Sequence, residues 1–210
     1  VTGILISPDF DFPGESDSRE FVSQNKSACA SIGPGSAPMV FDNERSMPDR
    51  GTHILGKLGE VPERSLDWIG TCSHGTGRSV QCGFDERGPH KPGDLALAMA
   101  RLAKVGQTFT VPLWSCSTAA DEKGGFAAQL YRALVALGVD ARVFGHTTVG
   151  HCTRNPYVRV WDSKRNGEWL IAPSSEDWRR WVNALHAPGS TLPYRFPWLS
   201  RMELLDELRK

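Results

Sequence analysis

Two short stretches carry residue types suited to nucleophilic chemistry. "CSHG" (Cys72–Gly75) closes an apolar run with a histidine and a glycine, and "WSCSTA" (Trp114–Ala119) closes another with a cysteine and small residues. A thiolate is a strong nucleophile, and a neighbouring imidazole favours it by taking the proton or pairing with the anion. Gly75 lets a substrate approach the backbone closely. Its N–H and that of Cys116 are suited to face a developing oxyanion, where one such donor is typically worth about 3 kcal/mol of barrier. Ser117, Thr118 and Ala119 leave the mouth of such a site open. Ser115 and Ser117 flank the cysteine, but a serine hydrolase on an α/β sheet requires a G-x-S-x-G turn, which the chain lacks.

The elements around these residues are what must bring them together. "SLDWIGTCSH" and "QTFTVPLWS" read as strands, and "ARVFGHT" as a third. Between the first two, "GDLALAMARLAKVG" places Leu95, Met99 and Leu102 at i, i+4 and i+7, with Asp94 near its start and Gly106 at its end, an amphipathic helix. Between the second and third, "GGFAAQLYRALVALGVD" lines up Phe126, Leu130, Leu134 and Leu137 and ends at Gly138. Strands alternating with helices over short connections imply an α/β fold with a mainly parallel central sheet flanked by helices. In such a sheet chemistry gathers beyond the carboxyl ends of the strands. A single crossover helix joins neighbouring strands, so His74 and Cys116 are expected on one edge, side by side.

The flanking regions are less patterned. "GILIS" is a first strand closed by Pro8, and "APMVFD" (Ala37–Asp42) a second. "SREFVSQNKSACAS" has poor helical periodicity. The rest of residues 9–62, rich in Gly, Pro, Ser and Asp, reads as irregular loop. "GFDERGPHKPG" also reads as loop. After the third strand, "YVRVWDSKRNGEWLIA" is a β-hairpin turning at Asn166–Gly167. "SSEDWRRWVNALHAPG" stacks Trp178, Trp181, Val182 and Leu185 on one packing face, with Ser174 as cap. A last helix carries a Ser200/Glu203 capping box. The expected organisation is one domain: residues 1–64 a strand with an N-terminal embellishment, 65–156 the catalytic core, and 157–210 a hairpin and helical extension.

From Ser65 to His151, about two-fifths of the chain, this pattern resembles the caspase-like cysteine peptidases. That group includes caspases, clostripain, gingipains and the self-cleaving domains of bacterial toxins. Its members carry a strand ending in His-Gly, a helix, and a strand ending in the catalytic Cys, then a further helix and strand. Here the two residues stand 42 positions apart (116 − 74). The resemblance implies a caspase-like fold and peptide-bond hydrolysis, with Cys116 as nucleophile and His74 as general base. It also implies oxyanion donors at Gly75 and Cys116, a protein or peptide substrate, and no cofactor.

Other polar residues have more than one reading. Asp9 and Asp11 follow the first strand; they either select a basic substrate side chain or turn the chain. "GHTTVGHCTRNP" (Gly145–Pro156) offers Thr147, Thr148, His151, Arg154 and Asn155 as a pocket wall. The same stretch is equally a polar hydrogen-bonded loop. A zinc site joining His74 with His146, His151 and Asp9 or Asp11 would make the protein a metal-dependent hydrolase, although the spacing is not that of a zinc motif. A third reading is a non-catalytic interaction module on the same scaffold. Cys72, two residues before His74, reads as core.

Composition narrows the partners. Twenty-four acidic residues balance twenty-four basic ones, so net charge supplies no attraction to nucleic acid or an acidic membrane. No apolar run approaches the length of a membrane span. The five cysteines are odd in number and form no C-x-x-C pair, so reduced thiols in a cytoplasmic compartment are expected. The N-terminus lacks the basic and apolar regions of a signal peptide, with delivery by another route left open.

Overall fold

The structure is a computed structural model, and it describes residues 2–9, 35–149, 155, 157–165, 167–172 and 175–176. Among the described residues nine strands form: β1 (Gly3–Pro8), β2 (Ser36–Phe41), β3 (Trp68–Cys72), β4 (Ser79–Val80), β5 (Phe84–Asp85), β6 (Phe109–Trp114), β7 (Ala141–His146), β8 (Val158–Asp162) and β9 (Gly167–Leu170). Three helices are described with them: α1 (Met47–Gly59), α2 (Pro92–Leu102) and α3 (Phe126–Ala136). Seven strands make one sheet in the order β2-β1-β3-β6-β7-β8-β9, and β4-β5 is a separate two-stranded hairpin. The strands from β2 to β7 run parallel; β8 and β9 are antiparallel, the hairpin read around Asn166–Gly167. The fold is therefore the expected α/β type. No helix among the described residues is long and apolar enough to cross a membrane.

The crossovers β2→β3, β3→β6 and β6→β7 advance in one direction across the sheet. Right-handed connection then puts their three helices on one face. Ile54 and Leu58 of α1, Leu95, Met99 and Leu102 of α2, and Phe126, Leu130 and Leu134 of α3 share one core with that face, and none is exposed. Across the sheet Ile4 lies opposite Ile69, and Val111 opposite Val143, all in the same core. Each fully buried side chain of this size contributes about 1.5–3 kcal/mol. The other face is buried too, through Leu5, Trp68, Cys72, Trp114, Val158 and Val160. Burial on both faces is why the strands read as continuous apolar runs. Leu137, expected in the apolar stripe of α3, is instead the C-cap and nearly half exposed.

Two expectations need correction. The stretch read as loop between Asp9 and Pro62 contains α1, a 13-residue helix. Its start looks like a turn in sequence, yet Pro48 occupies the first turn, where no intrahelical N–H is lost. The Ser46 hydroxyl caps the N–H of Asp49. Gly51, Gly56 and Gly59 weaken the propensity signal, and Arg50, Gly51, Ile54 and Leu58 nevertheless form its buried face. Likewise, "GFDERGPHKPG" is not all loop, since Phe84–Asp85 pairs with Ser79–Val80. The expected helices at 174–189, apart from residues 175 and 176, and after Ser200 lie outside the described residues.

Gly83 fastens this hairpin to α1. Its φ is +102°, and a Cβ there would sit 2.1 Å from the Gly51 nitrogen and 2.5 Å from the Met47 carbonyl oxygen. Gly56, on the exposed side of α1, meets nothing within 4 Å. Gly83→Ala is expected to cost about 3 kcal/mol in urea unfolding through overpacking and backbone strain. Gly56→Ala is expected to gain up to about 1 kcal/mol. Equal effects at the two positions would contradict the close packing of the hairpin on α1.

Candidate active site

The parallel registers decide which residues meet at the carboxyl edge. Ile6 lies opposite Thr71, Cys72 opposite Trp114, and Leu113 opposite Gly145. Carried three, two and three residues further, past the ends of β1, β3, β6 and β7, these registers would set Asp9, His74, Cys116 and Thr148 in one row. Hydrogen bonds continue past the strand ends: Ser73 N–H donates to the Trp114 carbonyl (3.4 Å), and Ser117 N–H to the Thr148 carbonyl (3.0 Å). The neighbours Ser73 and Ser115 are buried and face each other (Oγ–Oγ 3.3 Å), with Thr71 Oγ1 3.2 Å from Ser115 Oγ. His74 and Cys116 are partly exposed. Small hydroxyl residues thus pack between the two strand ends, and the His74 Nε2 is itself buried.

The turn after Cys116 is tightly held. Ser117 has φ +56°, the left-handed region that a residue with a Cβ seldom occupies. Thr118 Oγ1 donates to the Ser115 carbonyl (3.2 Å). Ala119 N–H donates to the His146 carbonyl (2.9 Å), and Ala127 N–H at the start of α3 to the Thr118 carbonyl (2.9 Å). Such strain is stored where the surroundings over-determine the backbone, often beside a reacting group.

Gly75 brings the two loops together. A Cβ on it would lie 2.8 Å from Ser115 Cβ and 3.0 Å from the Cys116 carbonyl oxygen. No larger residue fits without moving the turn that carries the cysteine. Beyond it, the Gly77 carbonyl accepts the Phe126 N–H (2.8 Å), tying the histidine loop to α3. Gly75 pairs with Val80 in an isolated antiparallel bridge. The bonds flanking that pair come from Thr76 N–H and Gln81 N–H, so the Gly75 N–H takes no part in the hairpin ladder.

The backbone of His74 is gripped on both sides by Gln81. The His74 N–H donates to Gln81 Oε1 (3.0 Å), and the Gln81 N–H donates to the His74 carbonyl (2.9 Å). Gln81 Nε2 donates to Asn43 Oδ1 (3.2 Å), and the Asn43 N–H donates to Asp9 Oδ1 (2.9 Å). Asp9 therefore reaches the expected edge, and its carboxylate ties the end of β1 to the turn that follows β2. Gln81 and Asn43 escaped the sequence reading, since neither belongs to a catalytic motif.

The remaining candidates divide. Thr147 N–H and Oγ1 both donate to the Tyr157 carbonyl (2.8 and 3.3 Å). Asn155, buried, donates through Nδ2 to Thr148 Oγ1 (3.0 Å) and to the Thr148 carbonyl (3.3 Å). Thr147, Thr148 and Asn155 are thus held by hydrogen bonds close to the end of β7. Asp11, His151 and Arg154 lie outside the described residues, as do Cys29 and Cys152. Among the described residues no three of His, Cys, Asp and Glu form a group able to hold a metal. Cys72 is buried, as read, and so is Cys82, whose thiol is pushed up to about 12 by burial. Cys116 is the partly exposed thiol of the three that are described.

Comparison of the chain with protein-family models and with curated proteins returns no match.

Because a β-branched side chain is the least compatible with a left-handed φ, Ser117→Val is expected to lower stability by about 1–2 kcal/mol. Ser117→Gly is expected to be tolerated. Thermal unfolding of both variants is the check, and matching losses would show that φ is not what this position selects.

Proposed function

We propose that the protein is a cysteine endopeptidase of caspase-like type, with Cys116 as nucleophile and His74 as general base. The observation that carries the reading is the row at the carboxyl edge. It puts His74 and the partly exposed Cys116 each two residues beyond the ends of adjacent parallel strands, with Gly75 packed against the cysteine's own turn. In the proposed reaction His74 takes the Cys116 proton, and the thiolate attacks the scissile carbonyl carbon. The resulting oxyanion is held by the N–H groups of Gly75 and Cys116. The Gly75 N–H suits this role because the hairpin ladder does not use it. His74 then protonates the leaving amine, and water, activated by the same imidazole, hydrolyses the thioester. Thr147 and Thr148 border the substrate cleft. The chemistry uses protein side chains alone. A protein or peptide is the substrate, and a reducing, cytoplasmic setting keeps the thiol active.

Cys116→Ala and His74→Ala are each expected to reduce cleavage of an unfolded protein substrate by about 10³-fold or more, with the fold retained. Wild-type cleavage by Cys116→Ala would overturn the proposal. Iodoacetamide at pH 6 is expected to label Cys116 well ahead of Cys72 and Cys82, as read by peptide mapping, because buried thiols are inert.

A further inference from the structure

A buried arginine lies behind the histidine loop. Arg50, on the first turn of α1, is only 8% exposed, and its guanidinium is directed at backbone oxygens. Nε donates to the Arg45 carbonyl (2.8 Å), Nη2 to the Asn43 carbonyl (2.8 Å) and Nη1 to the Gln81 carbonyl (3.1 Å). Burying a guanidinium is costly, and a hydrophobic residue of similar volume often serves stability as well or better. What this arginine achieves is geometric. Its planar fork fixes the spacing between Asn43 and Gln81. Those two residues share the Gln81 Nε2–Asn43 Oδ1 bond, and Gln81 in turn holds both the N–H and the carbonyl of His74.

We propose that Gln81 is a positioning residue for the His74–Cys116 pair, and that Arg50 and Asn43 hold Gln81 in place. A strand end is normally free to twist once its ladder stops. Here β3 ends at Cys72, and its last bond to β6 comes from the Ser73 N–H, one residue before the imidazole. Gln81 replaces the missing strand by bonding the backbone of His74 from the side, which limits rotation of the peptide planes that aim the ring. The side chain is neutral, so it holds the backbone without adding a charge beside the imidazole. The charged groups near the clamp are Asp9, Asp42 and Glu44 around Arg50, with the Cys82 thiol beside them. The hairpin's own Arg78 pairs outward with Glu86 (4.0 Å). This inference rests on the dyad reading above.

The test is the pH dependence of Cys116 alkylation by iodoacetamide in the full chain, for wild type, His74→Ala, Gln81→Met and Arg50→Lys. Circular dichroism and thermal unfolding are followed alongside. Gln81→Met keeps the length of the side chain and removes its hydrogen bonds. Its alkylation profile is expected to move towards higher pH, in the direction of His74→Ala, with about threefold or more slower labelling below the midpoint. A purely structural role would lower the melting temperature and leave the profile in place. A Gln81→Met profile that overlays wild type, while that of His74→Ala is displaced, overturns the clamp and leaves the dyad standing. A His74→Ala profile that overlays wild type overturns the dyad itself, and the inference with it. If Gln81→Met does not fold, Arg50→Lys carries the comparison. It keeps the charge and loses the fork, so displacement supports the clamp and overlay overturns it.

Discussion

The hydrogen-bonded register of β1, β3, β6 and β7 is the constraint on which the rest of the molecule depends. Side chains alternate along a strand with a period of two, so a slip by one residue would turn every reactive group to the opposite face. The core prevents that slip. Ile4 against Ile69 and Val111 against Val143 pack beneath three helices on one face, while Trp68, Cys72 and Trp114 are buried on the other. A shifted strand would have to expose several of these at once, each at a cost of about 1.5–3 kcal/mol. The strand ends from which Asp9, His74, Cys116 and Thr148 follow are thus fixed by apolar packing well below the edge.

Beyond the strand ends, packing gives way to directed polar contacts. The cysteine turn is held by Ser117, Thr118 and Ala119 bonding to Thr148, Ser115 and His146. The histidine loop is held by Gln81, and through it by Asn43 and Arg50. The two loops touch at Gly75, where the absence of a side chain permits the approach. A site built this way combines a rigid sheet with loops that would be mobile on their own. Its precision comes from the number of backbone groups that are bonded, since each hydrogen bond adds only about 1 kcal/mol net.

The N-terminal region contributes more than its irregular composition suggests. Strands β1 and β2 extend the sheet past β3, and α1 crosses from β2 to β3 on the core face. The caspase-like resemblance begins only at Ser65, after this region. Yet Asp9, Asn43 and Arg50, which brace the histidine loop, all come from before it. The segment with the weakest pattern supplies the support for the segment with the strongest.

Much of the architecture was legible in the residues. Leu95, Met99 and Leu102, then Phe126, Leu130 and Leu134, announce their helices by period, and the apolar runs ending at His74 and Cys116 announce buried parallel strands. From these alone, one shared edge for the imidazole and the thiol follows, because a single crossover helix joins neighbours. Helix α1 was not legible. Pro48 and three glycines lower its local propensity, and its stability comes from burial of Ile54 and Leu58 against the sheet. Nor were Gln81, Asn43 and Arg50, whose bonds span 31 and 38 positions and leave no periodic trace. The sequence by itself determined the alternation of strand and helix from Ser65 onward and the shared edge expected of His74 and Cys116, since propensity and hydrophobic period act over a few neighbouring residues. Only the tertiary structure decided how that edge is braced, because hydrogen bonds from side chains to distant parts of the chain exist once the chain has folded and are encoded in no local pattern.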